Sequence, residues 1–537
     1  MNTSQVSVPA KAGSVSILKT VISGVSDPEV VFRTLVARGA EGVLLESGDG
    51  PEGQPSKSLV IHRSAAKLEA RGSAVRLLPC LDRGREVVDA LADYAVRSGG
   101  VRAADDPLEL RFTFPRDEPE EQRRLYAPNV LEVLRAALRL GIRGVDPAEA
   151  TLLAGVFAYD LIEQFEPLPA AKEDPSEFPD YVFWVPEGVV RIDHDLRTTT
   201  IYEHVFESGE HSKSEAAIRA AEGRLAETKR RLEALEPFAP KPPEPSRMRS
   251  GASVPSDTSD AEYEAQVRVM QEAIRAGEVF QVVPSRVFRL PCADARRSYT
   301  ELRRLNPSPY MFLIEDASFT LFGASPEAAI RIEAEDSRRT LRITPIAGTR
   351  PRARRRDGMI DPETDARVEA ELRLDEKENA EHMMLVDLAR NDVARVCRPG
   401  SRYVAQLLTV VRYAHVMHLV SEVQGDLREG IDALHAYQAT LNMGTLVGAP
   451  KVRAAQLIRE LEGDRRGPYG GAVSVFFGDG RLDSAIVIRS ALVKNGEAQI
   501  RAGAGVVFDS DPRSEADETR HKARSVCEAI ERAEGRS

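Results

Sequence analysis

The chain has 537 residues, more than one ordinary hydrophobic core accommodates, so a large domain with a substantial second part is expected. Its 42% hydrophobic and 29% charged content is that of a soluble globular protein, and 73 basic against 84 acidic residues, a net charge of -11, argue against nucleic acid as the main partner. No apolar run approaches a membrane span, residues 1–13 lack the apolar core of a signal peptide, and Cys80, Cys292, Cys397 and Cys527 stand far apart without metal-ligand spacing, so a cytoplasmic protein with reduced thiols is expected.

Residues 1–14 read as a tail and 15–236 as an N-terminal domain of mixed helices and strands. Strands are expected at Val15 to Thr20, 42–48, Ser58 to His62, Ala74 to Leu78, Leu152 to Asp160, Tyr181 to Val185 and Gly188 to Asp193. Helices are expected at Pro28 to Arg38, Val87 to Arg97 and Ser214 to Leu235. Prolines 237, 240, 242, 243 and 245 and a Ser-rich stretch make 237–259 a linker, with a second domain over 260–532.

After the linker, Ser259 and Glu262 form a capping-box signature, and Tyr263, Val267, Met270 and Ile274 mark one apolar helix face. Gly277 closes that helix, Val279 to Val283 reads as a strand, and helices then alternate with paired strands, which favours an α+β fold with largely antiparallel sheets. No GxGxxG or GxxxxGK[ST] stands between a strand and a helix. The arginines at 350, 352, 354, 355 and 356 lack interleaved aromatics in an acidic chain and read as a solvated turn. Two acidic stretches carry glutamates at i and i+3, Glu378 with Glu381 and Glu515 with Glu518. Such pairs project from one helix face, about 60° apart. Alone they are usually a solvated face; facing one cleft they would offer Mg²⁺ the hard oxygen donors it prefers.

Motifs in between carry a resemblance. Gly277-Glu278-Val279-Phe280-Gln281-Val282-Val283-Pro284-Ser285, Asn306-Pro307-Ser308-Pro309-Tyr310-Met311, Gly323-Ala324-Ser325-Pro326-Glu327 and Thr344-Pro345-Ile346-Ala347-Gly348-Thr349-Arg350-Pro351 occur in that order. Leu385-Val386-Asp387-Leu388-Ala389-Arg390-Asn391-Asp392, Met417-His418-Leu419-Val420-Ser421, Gly444-Thr445-Leu446-Val447-Gly448-Ala449-Pro450-Lys451 and Gly503-Ala504-Gly505 follow. This series resembles the large synthase subunits of anthranilate synthases, within the chorismate-utilising enzymes, over essentially all of 260–530. Leu44 to Ser47 and Phe157 to Asp160 extend it into the first half.

The resemblance implies a four-layer α/β/β/α fold and an Mg²⁺-dependent reaction: ammonia adds at C2 of chorismate, the C4 hydroxyl leaves, and pyruvate is eliminated. It implies Glu381 and Glu518 as metal ligands with Glu378 and Glu515 in support, Glu327 as general acid, His418 for the elimination and Thr445 beside the substrate. Gly348, Thr349, Tyr469, Arg489, Gly503, Ala504 and Gly505 would hold chorismate. Leu45, Glu46, Ser47, Lys57, Pro309, Tyr310 and Met311 would form a tryptophan feedback site, beside a glycine-rich loop from Gly48 to Gln54 that could alter sensitivity. Relatives that add water carry a lysine where this chain has Gln281, and relatives that make 4-amino-4-deoxychorismate carry one where it has Ala347, so direct attack by ammonia is the consistent reading. No cysteine sits in a Gly-x-Cys-x-Gly setting, so a separate glutamine amidotransferase subunit is expected to supply ammonia in a hetero-oligomer. The nearest alternative is an enzyme that stops at 2-amino-2-deoxyisochorismate, without the lyase step.

Overall fold

The computed structural model describes residues 13–24, 26–48, 56–81, 83–105, 107–116, 118–206, 211–236, 254–355, 359–413 and 416–535. Most of the expected tail, the linker up to 253, the 49–54 part of the glycine-rich loop, and Arg356 lie outside these residues.

Among the described residues, 22 strands join in one branched hydrogen-bonded network, antiparallel except where Ser14–Ser23 runs parallel to Gly141–Arg143. Helices cover its outside, and the fold class is α+β. Strands from the two halves of the chain interleave. Gly42–Ser47 pairs with Tyr310–Glu315, placing Ser47 opposite Tyr310, and Thr151–Phe157 pairs with Ala472–Phe477. The network branches at the long strand Lys57–Arg71, which pairs with Gly42–Ser47 near its start and Ala74–Pro79 near its end. Register shifts between Ile61 and Ala66 bend it there.

Helices Ala295–Leu305 and Pro512–Ala533 bury Tyr299, Leu302, Val526 and Ile530 against Phe288, Phe322 and Ile500. Helix Glu376–Val396 buries Val386, Ala389 and Val393 in the largest core. Such burial, at roughly 25 cal/mol per Å² of apolar surface, is what anchors the polar ends of these helices in the cleft. The capping box at Ser259 forms in both directions ahead of Asp260–Arg275.

Several boundaries differ from expectation. Strand Thr151–Phe157 stops before Asp160, because Tyr159–Gln164 turns into a 3₁₀ helix. That turn buries the Asp160 carboxylate, which accepts from the amide of Gly467 at 2.7 Å and from Arg459 at 2.8 Å. Tyr181–Asp193 is one strand instead of two, because it follows Lys57–Arg71 along its length. Only Gln281–Val282 of the expected 279–283 strand pairs, with Gly448–Ala449. Helix Pro28–Leu35 ends before Arg38. The arginine run is not simply solvated: Arg350 donates to Glu378 and Asp375, each at 2.7 Å, and Arg352 is held by Asp365 and donates to the carbonyl of Tyr413. These pairs pin the strand Ile346–Pro351 to the helices that follow it.

Candidate active site

Glu327 sits just past strand Thr320–Ser325, where Pro326 ends the ladder. Its carbonyl accepts from the amide of Ile486 at 3.0 Å and from Ser325 Oγ at 3.2 Å, which aims the side chain inward. The carboxyl is 8% exposed and accepts from Thr445 Oγ1 at 3.1 Å. Burial pushes its pKa up to about 8, against the opposing influences of Thr445 and Lys522, so the group holds its proton at neutral pH. Thr445 lies on the short helix Gly444–Val447, packed so tightly on Glu376–Val396 that a Cβ at Gly444 would lie 2.1 Å from Leu388.

His418, on strand Val416–Asp426, faces Thr349 on the neighbouring strand, with Oγ1 2.9 Å from Nδ1. Burial and the charge of Arg489 press the imidazole down to about 4, so it is neutral at physiological pH. Arg489 occupies a left-handed backbone position, φ 49°, between strands Leu482–Ile486 and Ser490–Lys494. Among the described residues its guanidinium has no hydrogen-bond or ion-pair partner, and burial depresses its pKa against the pull of Tyr469 and Glu518. A planar fork without a partner has the geometry to take a carboxylate on two parallel N–H bonds.

Strand Glu497–Gly503 ends in a tightly packed segment at 503–505. A Cβ at Gly503 would lie 2.6 Å from the carbonyl of Pro284 and 3.1 Å from Tyr469 Oη, and one at Gly505 would lie 2.7 Å from Gln281 Nε2. Gln281 is 7% exposed, and its Oε1 is buried without a partner. Lys522 donates to the carbonyl of Gly503 at 3.0 Å and pairs with Glu518 at 2.6 Å. The Gly503→Ala variant is therefore expected to lose about 1–3 kcal/mol of stability through overpacking, read by denaturant unfolding, and to raise the KM for its substrate.

Glu378 and Glu381 project from one helix and Glu515 and Glu518 from another, and their charges act on one another across the cleft. Burial, together with Glu378, Glu515 and Glu518, lifts Glu381 to about 7 even though Lys377 opposes this. Burial also raises Glu515. Glu518 lies below the ordinary value because Lys522 and Arg489 outweigh its burial. Among the described residues no three acidic, histidine or cysteine side chains are gathered tightly enough to be a formed metal cage. The donor chemistry nonetheless fits a hard divalent cation: the groups are carboxylates only, and their mutual repulsion is what a cation relieves. Glu378 is held by Arg350 and Glu518 by Lys522, each in a close ion pair, whereas Glu381 meets only Lys377, at 3.9 Å, among the described ion pairs, so it is the least committed of these three.

Residues 107–528 match the family model for chorismate binding enzymes. The chain belongs to that family. It is 47% identical over 506 residues to anthranilate synthase component 1 of Escherichia coli (strain K12), covering 94% of each chain. It is 44% identical to the component 1 of Vibrio parahaemolyticus, covering 97% of this chain and 94% of the relative. The solved structure of anthranilate synthase component I from Streptococcus pneumoniae TIGR4 is similar with a TM-score of 0.64 and 27% identity, over 88% of this chain and 92% of that one.

This chorismate binding enzyme also has a cavity of about 450 Å³, to which Leu45, Glu46, Ser47, Lys57, Tyr310 and Met311 all contribute. Pro309 stands behind it, its carbonyl accepting from the amide of Gly48. The Glu46 carboxylate is committed elsewhere, to Tyr299 Oη at 2.6 Å and Arg303 at 2.8 Å, so an ammonium in the cavity needs another partner. Asp483 also lines the cavity, where it accepts from Tyr310 Oη at 3.3 Å and from Arg331 at 3.2 Å. Two strands run from cavity to cleft. Tyr310 lies opposite Ser325, two residues before Glu327, and Leu482–Ile486 leads from Asp483 to Arg489.

Sequence reasoning did not reach Asp483, Arg331 or Lys522. Lys522 had a signal, since it follows Glu518 at i+4 on a helix. Asp483 and Arg331 had none, because they meet only through the pairing of Ala328–Glu335 with Leu482–Ile486.

Proposed function

We propose that this chain is the synthase component of an anthranilate synthase, converting chorismate and ammonia to anthranilate, pyruvate and water. The reading is supported by a buried acid, Glu327, that accepts from Thr445 at 3.1 Å, and by a histidine, His418, set 2.9 Å from Thr349 and under the charge of Arg489. Arg489 and the backbone of residues 503–505, in which the amide of Ala504 is already given to Tyr263 Oη and the carbonyl of Pro284, would hold the substrate's carboxylates, with Tyr469 and Thr349 fixing its orientation. Ammonia attacks C2 past Gln281, whose orphaned Oε1 can accept an N–H but cannot act as a base toward water. Glu327 gives its proton to the C4 hydroxyl, which leaves as water. His418, whose Nδ1 lies 2.9 Å from Thr349 Oγ1, would then take the C2 proton as pyruvate departs. Glu381 and Glu518, supported by Glu378 and Glu515, would hold Mg²⁺, which when bound neutralises and orients the ring carboxylate.

A second component, a glutamine amidotransferase, would deliver the ammonia. No helix among the described residues is long and apolar enough to cross a membrane, in keeping with a cytoplasmic enzyme. The 450 Å³ cavity would take tryptophan and inhibit through the two shared strands. The Asp483→Asn variant is expected to raise the half-inhibitory tryptophan concentration at least about tenfold, the loss of one charge-assisted bond.

The deciding assay combines the purified chain with chorismate, Mg²⁺ and an ammonium salt and follows anthranilate and pyruvate together. Equal yields support the reading. An aminated product without pyruvate would replace it with a 2-amino-2-deoxyisochorismate synthase, and untouched chorismate would overturn it.

A further inference from the structure

We infer that Arg466 is a positioning residue for the acid end of the cleft, an inference that rests on the reaction proposed above. Thr445, the hydroxyl that touches Glu327, stands on the four-residue helix Gly444–Val447, whose N-cap residue Met443 makes no side-chain cap. A single turn of helix does not hold itself in water, so its orientation must come from outside. Arg466 supplies it. Its guanidinium, 3% exposed, donates from Nη1 to the carbonyl of Leu446 at 2.9 Å, one residue from Thr445.

The same group reaches two further walls of the cleft. Nη2 donates to the carbonyl of Val283 at 2.6 Å, on the segment that carries Gln281. The guanidinium carbon lies 5.8 Å from the ring centre of Tyr469 and 4.7 Å from that of Tyr159. Glu462 orients it bidentately, at 2.9 Å to Nε and 2.6 Å to Nη2, and also accepts from the amide of Ser285 at 2.7 Å. Ser285 is the strand partner of Gly503. Segments near 283, 446, 469 and 503, far apart in sequence, thus meet around one buried ion pair. Only a planar, five-donor fork can serve two carbonyls and a carboxylate at once; a lysine ammonium keeps the charge but not the fork.

The test is a double-mutant cycle on ammonium-dependent anthranilate formation at saturating chorismate, with Arg466→Lys, Thr445→Val and the pair. Thermal unfolding of each variant sets the folded fraction used to normalise kcat. Arg466→Lys is expected to lower kcat by about 10–100-fold, as for other groups that orient a reacting side chain. In the pair it should cost clearly less than it does alone, because part of its effect passes through that hydroxyl and only the rest through the walls at 283 and 503. Losses that multiply, or a lowered unfolding temperature with kcat intact, would overturn the inference. If the lysine variant does not accumulate folded, Arg466→Ala is assayed with added guanidinium ion. Recovery of turnover that is absent from Thr445→Val supports positioning, and no recovery overturns it. A wild-type chain that forms no anthranilate would instead refute the reaction itself.

Discussion

Exchanging Glu327 for glutamine is expected to cut ammonium-dependent anthranilate formation by about 10²–10⁴-fold, the usual worth of a general acid. Glutamine keeps the shape and can still accept from Thr445, but has no proton to give the departing hydroxyl. The wild-type kcat profile should carry an alkaline limb near pH 8, where the buried carboxyl loses its proton, and the variant should lack that limb. Stability gives an independent readout. With the folded pKa about 8 and the ordinary value 4.5, the folded state binds more protons than the unfolded state between those limits. The contribution of Glu327 to stability is therefore fully present below about pH 4.5 and is lost as pH rises toward 8. Glutamine has no such dependence, so the unfolding temperature of Glu327→Gln should gain on wild type as pH rises from 5 to 8. A variant with near-normal kcat, or one whose unfolding temperature tracks wild type across that range, would remove Glu327 from the acid role.

How much of this could be read beforehand depends on whether a feature is local. The capping box at Ser259 and the glutamate pairs on Glu376–Val396 and Pro512–Ala533 were legible, because spacing of three or four residues on a helix decides which side chains share a face. The α+β class was legible from paired strands between helices. The partners of charged residues were not. Arg350 reaches Glu378, 28 positions away, and a run of arginines alone cannot show that its charges are spent on pinning a strand to a helix. Arg466 is harder still: its partners at 283 and 446 come together only when the sheet and helix Lys451–Glu462 are assembled. Glu46 belongs to the motif expected at the tryptophan site, yet its carboxylate is drawn away by Tyr299 and Arg303 of a helix some 250 residues on. Strand Thr151–Phe157 ends early for the same reason, since Asp160 answers to Arg459 and Gly467, not to its neighbours in sequence.

The glutamates facing one another across the cleft set up the second large effect, one that separates a metal site from a merely acidic surface. Glu381 lies among three other glutamates, with Lys377 3.9 Å away and Lys522 occupied with Glu518. Removing one of these charges without changing shape, as in Glu381→Gln, should relieve repulsion and leave the metal-free chain at least as stable as wild type. The same change should lower Mg²⁺-supported turnover on the order of a thousandfold, because several kcal/mol of charge stabilisation in the reaction depend on the cation being held. Titrating Mg²⁺ should raise the unfolding temperature of wild type, by about 2.7 kcal/mol of added stability at a hundredfold excess over Kd, and do much less for Glu381→Gln or Glu518→Gln. A solvated acidic face predicts the reverse pattern: small, salt-like responses to Mg²⁺ that all three proteins share, with turnover preserved. Glu378→Gln separates the inner from the outer groups. Its charge is paired with Arg350, so the exchange leaves that arginine with Asp375 alone rather than relieving a cluster, and the metal-free chain should lose stability where Glu381→Gln does not.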